Sequence, residues 1–218
     1  MLRRTLILAA AVAMLPLPAP AQTVGIGMRA GTFGLGGELS VRLTDNLAVR
    51  GGVGVLPVEW TGDLGDISYT VKPTSPLGNV GIDFFPGGAG LRLGAGLLFI
   101  SETTDLTGEY SGTVRIGDRT YTGAEVGSLT GLLDHGSMAP YVNIGFGRGA
   151  ARGLGLFLDL GAAFMAEPSL TLRATGPATQ SAEFQQNLEK ERQKAEEDAR
   201  RYLRIFPMVS IGLRFGIM

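Results

Sequence analysis

The 218-residue chain contains no cysteine, which excludes a disulfide framework, a thiolate metal site and lipid attachment at an N-terminal Cys. Its scaffold must be held by strand pairing and packing alone. A basic excess is missing too: 19 Lys and Arg stand against 20 Asp and Glu, so nothing argues for a nucleic-acid partner. Catalytic and cofactor motifs are nearly absent. Gly25-Ile26-Gly27 and Gly145-Phe146-Gly147 look like fragments of phosphate-binding loops, but neither completes the spacing and neither opens a helix. No cofactor and no metal are expected. The chain also lacks an apolar run long enough to cross a bilayer comfortably as a helix, because the stretch from Leu6 to about Leu17 is too short.

That short stretch reads as an export signal. Arg3 and Arg4 precede it and Ala19-Pro20-Ala21 follows it. A basic start, a short apolar run and an A-x-A ending make a secretory signal peptide over residues 1–21, cut after Ala21. Residues 22–218 are then one exported domain. Loss of Arg3 and Arg4 leaves its net charge near −3.

What the remaining chain has in abundance is alternation. In its last segment Val209, Ile211, Leu213, Phe215 and Ile217 fall on one face, and Met208, Ser210, Gly212, Arg214 and Gly216 on the other. A strand sends alternate side chains to opposite faces, so a period of two reads as β-structure. Eight such segments recur, near residues 23–31, 35–43, 47–55, 79–85, 91–100, 140–147, 154–166 and 208–217. Their apolar faces carry no charged residue. Their other faces collect many glycines together with Arg29, Glu38, Arg42, Arg50, Asp83, Arg92, Asp159 and Arg214.

A soluble sandwich and a lipid-facing barrel share this alternation, and three features favour the barrel. The charged face is also the glycine face, which suits a cramped lumen where some positions must be small for an arginine to fit beside them. The connections alternate in length: 44–46, 86–90 and 148–153 are short, whereas 101–139 and 167–206 are long, the asymmetry of periplasmic turns and extracellular loops. Finally, an even number of antiparallel strands can close without leaving an edge in lipid. The expected fold is all-β, an eight-stranded antiparallel transmembrane β-barrel with long loops, one of them containing a charged α-helix.

On this pattern the chain resembles the small outer-membrane β-barrel proteins of Gram-negative bacteria, of the OmpA-transmembrane-domain and OmpW type. The sharpest local motif is the C-terminal strand, Ser210-Ile211-Gly212-Leu213-Arg214-Phe215-Gly216-Ile217. It looks like the signal read by the barrel-assembly machinery, with Ser210, Gly212, Phe215 and Ile217 at the polar, glycine and hydrophobic positions. It departs from that pattern in ending on Ile217 and Met218 rather than on Phe or Trp. The resemblance implies an integral protein of the cell outer membrane, monomeric, with membrane lipid and lipopolysaccharide as surroundings and the assembly machinery as its partner in biogenesis.

The eight inward charges read as lumen packing. Eight strands enclose a space just wide enough for side chains to fill, so five arginines and three carboxylates should pair across it as a plug rather than line an open pore. Within the long loops, Thr113 to Ile116 and Arg119 to Thr122 flank Gly117-Asp118 as a hairpin that could extend the barrel wall or add two strands, making ten. Residues 181–204 read as a helix capped by Ser181, with Glu183 in its first turn and acid-first pairs Glu196–Arg200 and Glu197–Arg201. Its apolar stripe of Phe184, Leu188, Ala195, Ala199 and Tyr202 is thin. A solvated helix lying across the barrel mouth explains it better than a lid or a partner-binding surface.

Two functions from different classes follow. The first is a non-enzymatic outer-membrane barrel with a structural role in the envelope, limited passage of small or hydrophobic solutes being its transport variant. The second rests on His135 and Ser137 in Asp134-His135-Gly136-Ser137. That pair resembles the His and Ser of the outer-membrane lipid A deacylases, implying a general base and a nucleophile. A polar loop accounts for the pair at less cost, since no third member is evident.

Overall fold

A computed structural model describes residues 23–56, 60–64, 67–72, 76–87, 90–100, 104–110, 112–147 and 153–217. The expected signal peptide, residues 1–21, lies outside them. Along the chain run β1 (Val24–Gly31), β2 (Gly34–Thr44), β3 (Leu47–Val55), β4 (Trp60–Leu64), β5 (Ile67–Lys72), β6 (Leu77–Phe84), β7 (Gly90–Ile100) and β8 (Thr104–Glu109). They are followed by β9 (Thr113–Ile116), β10 (Arg119–Thr122), a one-turn helix (Gly123–Val126), β11 (Leu129–Asp134), β12 (Met138–Gly147) and β13 (Gly153–Phe164). Then come β14 (Ser169–Ala174), a long helix (Ala182–Leu203) and β15 (Ile205–Ile217).

Eight strands close an antiparallel barrel in the order β1-β15-β13-β12-β7-β6-β3-β2. These are the eight alternating segments, their ends shifted by up to three residues, so the wall has eight strands and not ten. Closure joins the two ends of the chain: Val24 pairs with Ile217 and Gly31 with Ser210. The wall therefore leaves no unpaired edge. On the tight β1–β2 connection at Thr32–Phe33, Gly34 takes φ +77°, and a side chain there would run into the Val55 carbonyl.

The two faces of the wall separate cleanly. Met28, Leu35, Val53, Leu154 and Leu156 are all more than 60% exposed, and every exposed large hydrophobic residue described, except Leu132, lies on a barrel strand. A contiguous apolar surface of this kind has no place in water and needs an apolar surrounding. The inward glycines answer to sterics. A Cβ on Gly27 would come within 2.9 Å of Glu38 Cγ, and one on Gly94 within 2.7 Å of Asp83 Oδ1, whereas the outward Gly51 has its nearest neighbour at 3.6 Å.

The long loops carry strands of their own. Strands β4, β5, β8, β11 and β14 form a five-stranded sheet in the order β14-β11-β8-β5-β4. That order repeats β13-β12-β7-β6-β3 of the barrel, strand for strand, so the sheet carries five-eighths of the wall onward as a cap. The hairpin β9–β10 forms at the expected residues but makes a separate two-stranded sheet. It does not extend the wall.

The long helix corrects the reading of a solvated element. Phe184, Leu188, Ala195 and Ala199 are buried in one core with Leu106, Val114, Ile116, Tyr121, Val126, Leu129, Leu133, Leu170 and Leu172. Tyr202, the fifth residue of the stripe, has a side chain outside those described. Ser181 caps the helix by accepting from the Phe184 amide. Two polar residues continue the buried stripe and dock it on the hairpin turn. Asn187 Oδ1 accepts from the Asp118 amide at 3.3 Å, its Nδ2 donates to the Tyr121 hydroxyl at 2.9 Å, and Glu191 Oε2 accepts from the Gly117 amide at 3.1 Å. On the other side, Glu196 accepts from the Leu170 amide and Arg192 donates to the Leu170 carbonyl, which satisfies the open edge of β14 at that residue. Of the two acid-first pairs, Glu196–Arg200 forms at 3.1 Å. Glu197 and Arg201 do not pair; Glu196 instead takes Arg192 as a second partner at 2.5 Å.

Candidate functional site

The barrel lumen gathers most of the charge that the alternation turned inward. Arg29, Glu38, Arg50, Asp83, Arg92, Asp159 and Arg214 are each no more than 5% exposed. They come from β1, β2, β3, β6, β7, β13 and β15, and meet only because those strands surround one axis. Arg50 is the hub. Its Nη1 lies 2.6 Å from Asp159 Oδ2 and 3.7 Å from Glu38 Oε2, and its Nε lies 3.0 Å from Asp83 Oδ2. Arg92 pairs with Asp159 and lies 3.8 Å from Asp83 Oδ2. Arg214 donates from Nε to Glu38 Oε1 at 2.8 Å and also from Nη2 to the same oxygen.

Aromatic rings complete the packing. The Arg214 and Arg92 guanidiniums lie over the Phe157 ring, 4.7 and 5.5 Å from its centroid. Such contacts help a buried cation keep its charge without water. Arg42 stands apart at the short-turn end of β2, half-buried, with Nη2 donating to the Asp45 carbonyl at 2.9 Å and its guanidinium 5.0 Å from the Phe85 centroid. Arg29 has a different environment from the other buried arginines. It donates to Asn79 Oδ1 at 2.7 Å and lies 4.6 Å from the Phe33 centroid, with no carboxylate oxygen within 4.0 Å among the described residues.

Asn79, Tyr141, Asn143 and Ser210 join this group. All are buried, and Asn79 Nδ2 donates to the Tyr141 hydroxyl at 3.4 Å. Their inward direction follows from strand parity, but their pairing does not. Toward the cap, an apolar tier of Phe33, Leu77, Leu98, Ile100, Ala139, Tyr141, Ala163 and Met208 continues the filling. Phe33 had no signal in the alternation, since it sits in the two-residue turn and folds back into the lumen; an aromatic residue between glycines is the only hint. One small cavity among the described residues lies in the lumen, about 10 Å³ for the centre of a water-sized sphere, near the lower limit for one water.

The steric fit of the plug gives a direct test. A Cβ on Gly145 would fall 2.5 Å from Asp159 Oδ1 and also strike Arg92. Gly145→Ala is expected to push that pair apart and cost about 1–3 kcal/mol as overpacking, read as a lower temperature for loss of the compact band on an unboiled detergent gel. Gly51→Ala on the outer face should leave that temperature unchanged.

The residues of the proposed assembly signal lie along β15. Ser210 faces inward, while Phe215 and Ile217 are 53% and 44% exposed on the outer wall. His135 and Ser137 are not brought together: no hydrogen bond joins them among the described residues. His135 Nε2 lies 3.4 Å from Thr104 Oγ1. Burial holds its pKa below the usual histidine value despite the nearby Asp134 carboxylate. Asp134 accepts from the Gly136 amide at 2.8 Å, an Asx-type turn rather than a catalytic contact. Among the described residues no His, Asp and Glu cluster could hold a metal ion.

No protein-family model matches the sequence, and no curated protein matches it either. Solved structures do. The crystal structure of Acinetobacter baumannii CarO2 is similar over 91% of this chain and 100% of its own, with a TM-score of 0.62 at 23% identity. Acinetobacter baumannii CarO is similar over 88% of this chain and 96% of its own, with a TM-score of 0.58 at 22% identity. At these identities the likeness bears on architecture alone, and it agrees with the closed eight-stranded wall. The chain has the fold of a small eight-stranded outer-membrane β-barrel.

Proposed function

We propose that the chain is an integral, non-enzymatic protein of the outer membrane, exported by residues 1–21, whose barrel is a sealed anchor with a structural role in the envelope. One observation carries this reading: two packed layers lie across the lumen, a charge plug centred on Arg50 and the apolar tier around Phe33. Passage of even a small solute would have to break desolvated ion pairs, each costing several kcal/mol to separate in such surroundings. In this reading lipid and lipopolysaccharide cover the apolar wall, and the barrel is monomeric. The cap, on the long-loop side, stands outside the cell. The end of β15, through Ser210, Gly212, Phe215 and Ile217, is the stretch offered to the assembly machinery.

The test is electrical. Purified protein inserted into a planar bilayer is expected to leave the current at baseline. Steady single-channel steps from the unmodified chain would overturn the sealed anchor in favour of limited solute passage.

A further inference from the structure

We propose that the lumen plug holds one small monovalent anion, of chloride size, beside Arg29 and Asn143. Three separate observations point to it. The first is charge. Four buried guanidiniums, Arg29, Arg50, Arg92 and Arg214, face three buried carboxylates, Glu38, Asp83 and Asp159. One positive charge is left over, and among the described residues Arg29 is the one of the four with no carboxylate oxygen within 4.0 Å, Glu38 acting on it only from farther away. A buried cation without a counter-charge is costly, and an amide oxygen and a phenyl ring compensate only part of that.

The second observation is an unsatisfied side chain. Asn143 is 7% exposed, yet neither its Nδ2 nor its Oδ1 has a hydrogen-bond partner, and the Nε of Arg29 also lacks one. Buried amides are rarely left so. The third is space. Arg29 and Asn143 line the same small cavity, together with Arg50, Asn79, Tyr141 and Ser210. Its wall thus offers guanidinium, amide and hydroxyl donors. The Asp159 carboxylate also lines it, but both its oxygens are engaged by Arg50 and Arg92. A water fits the space as found. A chloride needs the wall to give by a few tenths of an ångström, which the ends of Arg29 and Asn143 can supply.

The site belongs to the plug on which the sealed-anchor reading rests, but its test reads occupancy rather than current, so either can fail alone. Crystals of the full exported chain in detergent, soaked in sodium bromide, are expected to show one anomalous peak in this cavity. Crystals of Arg29→Met should lose it. In solution, exchanging gluconate for chloride at constant ionic strength should raise the unfolding temperature of the natural chain by about 2–4 °C and leave Arg29→Met unmoved. A water without anomalous signal in the natural protein would overturn the proposal, as would a peak that survives Arg29→Met. Should that variant fail to fold, the natural protein's bromide map decides alone.

Discussion

Replacing Arg50 with methionine is expected to destabilise the barrel by about 3–5 kcal/mol, the range for removing one partner of a buried ion pair. Arg50 touches all three lumen carboxylates, so the loss falls unevenly. Glu38 keeps Arg214, and Asp159 keeps Arg92. Asp83 keeps only Arg92 at 3.8 Å and becomes a poorly compensated buried anion. The expected readout is a lower temperature at which the compact, heat-modifiable form disappears on unboiled detergent gels. Adding Asp83→Leu to Arg50→Met should recover part of the loss, because a pair replaced by apolar groups of similar volume is often tolerated where a broken pair is not. An Arg50→Met barrel as heat-resistant as the natural one would mean that the plug contributes packing and not charge pairing.

Phe184→Ala should act elsewhere and as strongly. The Phe184 ring is fully buried in the cap core and meets Tyr121 edge-on at 5.0 Å. Truncating a buried phenylalanine costs about 3–5 kcal/mol through lost burial and the cavity left behind. Asn187, Glu191 and the exposed pairs Lys190–Asp118 and Arg119–Glu183 would then hold the helix to the hairpin from that side. Limited proteolysis is expected to cut within residues 182–203 at least about a hundredfold faster, since open states govern cleavage and each 1.4 kcal/mol is tenfold. The barrel should keep its heat-modifiable shift, because the cap core and the lumen tier share no residue and distant sites add independently. Loss of both together would show that cap and barrel unfold as one unit.

The contrast between barrel and cap explains which parts of the architecture could be read from residues. The eight wall strands are long and alternate strictly, as β15 does from Met208 to Ile217, so each announces itself without its neighbours. The cap strands do not. Thr104–Glu109 holds one apolar side chain, Leu106, and Ser169–Ala174 holds two leucines. Such short segments become strands because the barrel strands they continue already lie side by side. The helix shows the same limit. Its capping and its stripe are local, but whether the stripe is wet or buried depends on the sheet and hairpin that meet it. Asn187 and Glu191 look like solvent-facing residues until the hairpin turn offers them its free amides.

In the lumen the division is equally plain. Seven of the eight inward charges are buried and six of them are ion-paired with one another, and strand parity alone assigns their direction, because successive side chains on a pleated backbone must point to opposite faces. The partners are another matter. Arg50 and Asp159 are 109 positions apart, and Arg214 and Glu38 are 176 apart. Which guanidinium reaches which carboxylate depends on closure between β1 and β15 and on the stagger of every pair between them. Closure also leaves Arg29 beside Asn79 and Phe33 instead of a carboxylate, and folds Phe33 into the lumen. By itself the amino-acid order determined the faces, the short turns and the places of the eight alternating segments, all properties of neighbouring residues. Only the tertiary structure decided the pairing, the wall of eight strands rather than ten, which arginine stands without a close carboxylate, and the cap, because each depends on residues that the chain separates and the closed wall brings together.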